Sequence, residues 1–292
     1  MKPGLAAAGW SRFWFTPAPP HLYALLRIAF GVIGLIHLAA MSDIAAYWAP
    51  DGILPTGSHE ALSAWLLSAG YGDAFGAGLW LATGACYVAM ALGWKTNVAV
   101  TAGFAASLLQ GRWNPLPLSA ALQLFQNVLF CLVWADCGRA WSVDAWRSGS
   151  SPEKSAPIWP LRLIRVQVAL LYFTSALWKL GEPIWRSGAT LHYVLGGTVN
   201  TRFPGGTPLA LEPYLPAMAY AVLLWEFSFP LLLLNHRTRT FTLVSGIFIH
   251  LSMWFFLELG PFTLVVLAAY LAFIDPVRFA SWARARGRPT SS

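Results

Sequence analysis

Apolar residues fall in long blocks along this chain, separated by short polar and turn-rich stretches. A helix needs about twenty mostly apolar residues to cross a bilayer. Blocks of that kind occupy 22–41, 75–93, 118–135, 161–179, 214–234, 240–257 and 260–275, and a shorter one occupies 97–111. The pattern predicts an all-α polytopic transmembrane bundle of about eight spans, the shortest block being tilted, bent or not crossing. Small residues inside the blocks, among them Gly31, Gly34, Gly76 and Gly103, allow close helix approach. Three parts follow: an interfacial segment at 1–20, a membrane domain at 21–276 and a basic tail at 277–292.

Composition sharpens that picture. Of 292 residues, 57% are hydrophobic and 11% charged, whereas soluble domains carry about 25% charged residues. Sixteen tryptophans suit rings placed at membrane–water boundaries. A formal charge of +7 would suggest nucleic acid in a soluble protein, but the placement of the cations explains it differently. With the N-terminus inside, thirteen lysines and arginines fall in cytoplasmic segments, against Arg112, Arg186 and Arg202 in outer loops. That bias predicts both termini in the cytoplasm, a lipid bilayer as the main partner and no nucleic acid. Residues 1–20 lack the apolar core of a cleavable signal. Cys86, Cys131 and Cys137 show no C-x-x-C or Cys/His ligand spacing, so no metal site is expected.

Two longer outer loops stand out. In 42–74, Leu62, Trp65, Leu66 and Ala69 recur at helical spacing, which predicts an interfacial helix over 58–71. The other loop, 180–213, carries Trp185, Gly188, His192 and Tyr193. Folded back together, the loops would form a pocket at the outer membrane edge beside Lys179.

Ionisable side chains inside spans are costly and need a partner, water or a role. Four lie well within the blocks: Arg27, Arg165, Lys179 and Glu226. Arg27, Arg165 and Glu226 are expected to form structural ion pairs between helices, Glu226 being the natural partner for a cation on a neighbour. Lys179 ends the run Tyr172-Phe-Thr-Ser-Ala-Leu-Trp-Lys179, just before the Trp185-x-x-Gly188 turn. Partial desolvation there would disfavour the ammonium and give a usable general base. The plainer alternative is a lysine snorkelling at its helix end. His250 is central to its span and either bonds between helices or joins the Lys179 pocket. His192 is either a pocket member or a solvated loop residue.

Taken in order, several pieces resemble the HTTM domain family, the membrane module shared by vitamin K-dependent gamma-carboxylases and many bacterial proteins. They are Leu26-Arg27-Ile-Ala-Phe-Gly31, Trp113-Asn114, Trp141-Ser-Val-Asp144, Arg165-x-Gln167 leading to Tyr172 and Lys179, Trp185-x-x-Gly188, Glu226 and His250. The resemblance spans about 22–276. It implies Lys179 as the base that deprotonates a reduced quinone, with O2 and CO2 as co-reactants. Asn114, Trp185, His192 and His250 would then line the pocket. Two positions depart from the carboxylases. They carry a histidine two residues after the Trp-Asn pair, where this chain has Leu116. They also have a large extramembrane C-terminal portion, where this chain shows the tail Arg284-x-Arg286-x-Arg288 before Ser292.

Three functions remain open on these residues. One is a non-catalytic partner, in a bacterial plasma membrane, for the maturation, export or immunity of a secreted peptide, with a thiol oxidoreductase as a further partner. The second is a carboxylase-like enzyme with Lys179 as base. The third is a small-solute transporter, which the absence of an internal repeat disfavours.

Overall fold

The computed structural model describes residues 5–49, 65, 68–113, 119–149, 155–197, 201–203 and 211–287. Asn114 and most of the expected interfacial helix at 58–71 lie outside them. The described chain is nearly all helix, as the apolar blocks predict. In chain order the elements are α1 (Leu5–Phe15), β1 (Pro17–Ala18), α2 (His21–Ala40), α3 (Ile44–Tyr47), α4 (Gly72–Leu92), α5 (Thr96–Trp113), α6 (Ala120–Val133) and α7 (Val143–Ser148). There follow β2 (Ala156–Pro157), α8 (Trp159–Gly181), α9 (Pro183–Arg186), α10 (Thr190–Gly196), α11 (Leu215–Leu234), α12 (Arg239–Phe256), α13 (Phe262–Tyr270) and α14 (Pro276–Gly287).

Each apolar block became a helix, but not every helix is long and apolar enough to cross alone. Among the described residues five pass that test: α2, α4, α8, α11 (counted from Glu212) and α12. A sixth arises if Phe262–Phe273 and Pro276–Arg286 are taken as one broken span. The block at 118–135 yields the 14-residue α6, about 21 Å at 1.5 Å per residue and short of a bilayer core of roughly 30 Å. The block at 97–111 grows into the 18-residue α5, which is less apolar than its neighbours. Among the described residues, helix length and apolarity alone support five or six of the eight expected spans.

The chain divides into two compact units, 1–165 with 271–292, and 166–270. In the first, α2 packs on α4, α4 on α5, and α5 on α6. Phe30, Tyr87 and Phe125 meet at its centre, with ring centroids 5.6 and 5.7 Å apart. A two-residue antiparallel pairing joins β1 to β2, Pro17 opposite Pro157 and Ala18 opposite Ala156. Beside it the Tyr23 hydroxyl donates to the Pro157 carbonyl at 2.6 Å and accepts from Leu161 N–H at 3.2 Å. In the second unit α11 packs on α12 and α12 on α13. Their common core is aromatic: Tyr172 of α8 lies 4.2 Å from Phe229 and 5.0 Å from Trp225, ring centre to ring centre.

Candidate functional site

The first unit ties several of the motif residues into one knot. Arg27 is fully buried. Its guanidinium donates to the carbonyls of Met90 (2.5 Å), Ala91 (2.9 Å), Trp141 (2.5 Å) and Cys137 (3.2 Å). Met90 and Ala91 close α4, whose last carbonyls have no helical donor of their own. Arg27 thus serves as a C-cap from a neighbouring helix. The expected ion pair is here a set of carbonyl bonds, because the fork geometry of Arg matches several acceptors at once.

Gly93 follows with φ +70°, and a Cβ there would stand 2.3 Å from the Ser142 Cβ and 2.7 Å from Arg27 Nη1. Ser142 caps α7 by accepting from Ala145 N–H at 2.9 Å. Asp144 accepts from Lys95 N–H (2.9 Å), Thr96 N–H (2.7 Å) and Thr96 Oγ1 (2.7 Å), capping the start of α5. Burial works to raise its carboxyl, but the hydrogen bonds from Thr96 and Lys95 outweigh it and hold the group below its ordinary value. The Arg27 and Trp141–Asp144 motifs are therefore architectural. Trp113 is likewise buried, its indole donating to the Trp48 carbonyl at 2.9 Å. Arg165 donates to the carbonyls of Ala272 (2.7 Å) and Ile274 (3.2 Å).

The second unit holds the acid, the lysine and the histidine singled out in the sequence. Lys179 Nζ donates to Glu226 Oε1 at 2.5 Å, the two side chains being 17% and 11% exposed. The ammonium also sits 4.7 Å from the centre of the Trp185 ring. So the carboxylate expected to neutralise a neighbouring cation takes Lys179 itself. Pro230, one turn after Glu226, removes the N–H that would bond the Glu226 carbonyl.

Two turns before Lys179 on α8, Tyr172 forms a second cluster. Its hydroxyl lies 2.5 Å from His250 Nε2 and 2.5 Å from the Tyr270 hydroxyl. With one proton, it donates to one of them and accepts from the other. Thr263 Oγ1 donates to the His250 carbonyl at 3.2 Å, fixing α13 against α12. Gly246 admits this arrangement, since a Cβ there would stand 2.4 Å from the Tyr270 hydroxyl. Among the described residues, three buried side-chain atoms of this unit have no hydrogen-bond partner: Thr190 Oγ1, Glu226 Oε2 and His250 Nδ1.

The remaining expected members stand apart. His192 Nδ1 lies 3.5 Å from Glu212 Oε1, both side chains being largely exposed. Trp185 is brought to Lys179, whereas His250 lies in the Tyr172 cluster. Tyr270 and Thr263 were absent from the sequence-based set. A hydroxyl inside an apolar run, as at Tyr270, was the available signal, because buried tyrosine hydroxyls require a partner. Lys179 Nζ, the expected base, donates to a carboxylate and faces an indole.

A family model for the HTTM domain matches residues 15–277. The sporulation-delaying protein SdpB of Bacillus subtilis (strain 168) is 22% identical over 143 residues. That match covers 47% of this chain and 44% of the relative, so less than half of the relative's length is spanned. No solved structure matches significantly.

Proposed function

We infer, for a chain that belongs to the HTTM domain family, a non-catalytic role as membrane partner in the maturation, export or immunity of a secreted peptide. The observation that carries this reading is the Lys179–Glu226 contact at 2.5 Å. The nitrogen donates to that carboxylate and lies over the Trp185 ring, the arrangement of a side chain that ties α8 to α11. The likeness to a sporulation-delaying protein lends support of a different kind, since that relative is named for its effect on sporulation rather than for a reaction. The bacterial plasma membrane is the expected setting.

A second reading, the carboxylase-like enzyme, draws on the orphaned Glu226 Oε2 and His250 Nδ1. Each leaves a polar atom without a partner at a cost of about 1–3 kcal/mol. A substrate group could satisfy them.

Deletion and complementation in the native host separate the two. On the non-catalytic reading, deletion removes one secreted peptide from the medium or abolishes resistance to it. A Lys179→Met, Glu226→Leu double variant, which replaces the pair by apolar groups of similar size, then restores the phenotype. Failure of a membrane-inserted, folded double variant to restore it, together with quinol oxidation by the purified wild-type protein, would replace this reading by the enzymatic one.

A further inference from the structure

In the first unit, the start of α2, the ends of α4 and α6, and the start of α8 lie at one end of the helices, as the Arg27, Asp144 and Tyr23 contacts require. A cavity of about 280 Å³ opens there, lined by His21, Arg139, Trp141, Ser142, Ala145 and Trp146 among its residues. His21 is its unexplained member. It is 4% exposed, its Nδ1 is buried without a hydrogen-bond partner, and its ring meets Trp141 edge-on at 5.8 Å.

Charge and aromatic rings point the same way. Among the described residues no carboxylate lines this cavity. Arg139 is oriented by Asp136 at 2.6 Å and by the Ser155 carbonyl at 3.0 Å. The basic helix α14 packs on α2, with Phe279 5.9 Å from Trp141. Arg284 on that helix is exposed and donates to the Ala280 carbonyl at 3.2 Å. Trp146, Trp282 and Trp141 are 82%, 50% and 45% exposed, as tryptophans at a membrane–water boundary are. A neighbouring hollow of about 410 Å³ differs in kind, because Asp136 and Asp144 line it beside Lys95 and Arg139.

We propose that the cavity beside His21 binds the phosphate of an anionic phospholipid headgroup, with Arg139 and His21 as donors, Arg284 of the packed basic helix adding positive charge, and Trp146 against the glycerol region. A phosphate offers oxygens to both donors, and the acyl chains would run along the apolar faces of the neighbouring spans. A basic residue near an anionic surface is worth about fivefold in binding.

The test uses the full chain in detergent and native mass spectrometry with phosphatidylglycerol or phosphatidylcholine of identical acyl chains. Phosphatidylglycerol is expected to be retained preferentially. Arg284→Gln, on an exposed side chain, should lower that retention about fivefold. Ala145→Leu should do the same by filling the cavity, and Arg237→Gln, exposed in the other unit, should leave it unchanged. A thermal-shift series with inorganic phosphate identifies the source. Stabilisation by phosphate alone, lost in Arg284→Gln and Ala145→Leu, would support the same site with soluble phosphate as its ligand. Equal retention of the two lipids, or an equal loss in Arg237→Gln, would overturn the proposal.

Discussion

Arg27 shows how an ionisable residue inside a span can be structural without any acid. Its four carbonyl partners come from the end of α4 and from the turn between α6 and α7. Hydrogen bonds to charged groups contribute more than neutral ones, about 1.5–3 kcal/mol each before non-additivity. Arg27→Leu is expected to lower stability by at least about 3 kcal/mol, read as thermal unfolding in detergent. Arg27→Lys should recover little, because a compact ammonium cannot span acceptors on separate segments. Asp144 adds a pH dependence. Its carboxyl is held below its ordinary value in the folded chain, so the unfolded chain binds more protons in that range and stability rises with pH. The contribution is complete above about pH 4 and is lost as pH falls through the folded value. Asp144→Asn should flatten the acid limb of a stability–pH profile while leaving neutral stability below that of wild type. A wild-type profile already flat from pH 3 to 5 would refute this.

At the scale of elements, hydrophobic blocks located the helices because burial in lipid or in a neighbour demands the same apolar run. They did not fix helix ends. The block at 97–111 extends to an 18-residue helix because Asp144, almost fifty residues later, caps its start. The block at 118–135 stops early because the chain turns through Trp134 to Ser142 to meet Arg27 and Gly93. Long-range capping leaves no periodic trace in a sequence. Gly93, just after α4, packs directly against that turn. Gly93→Ala combines a left-handed backbone with a Cβ 2.3 Å from Ser142, a cost of about 1–3 kcal/mol. The melting temperature should fall accordingly, whereas Gly78→Ala, where an added Cβ meets nothing within 4 Å, should leave it nearly unchanged.

For the whole molecule, membrane class and family were legible in composition, block length and the order of short motifs. The role of those motifs was not. The pattern predicts an ion pair for Arg27, yet in the fold it bonds carbonyls at a helix end, while the motif residues Trp113 and Asp144 bond a carbonyl and cap a helix. Lys179 and Glu226 were both singled out, but as separate features. Periodicity gives the face on which a residue sits, whereas the partner across the gap depends on how helices neighbour one another. The charge bias also predicts the sidedness of the whole chain. Single cysteines at Ser148 and Ser187, both exposed, are expected to react with a membrane-impermeant reagent from opposite sides, Ser187→Cys in intact cells and Ser148→Cys in inverted vesicles. Native Cys137 should stay silent, because burial pushes its thiol up to about 12. Labelling of both engineered cysteines in intact cells would contradict the orientation.

The Arg27 knot has a consequence for biogenesis. Its acceptors lie 63 to 114 residues further along the chain, so they do not yet exist when the first apolar helix leaves the ribosome. A nascent chain therefore carries a bare guanidinium into the insertion machinery and must wait there, hydrated, until Trp141 has been made. Premature lateral release into lipid would strand that charge, and translational pausing before residue 141 should raise the fraction degraded.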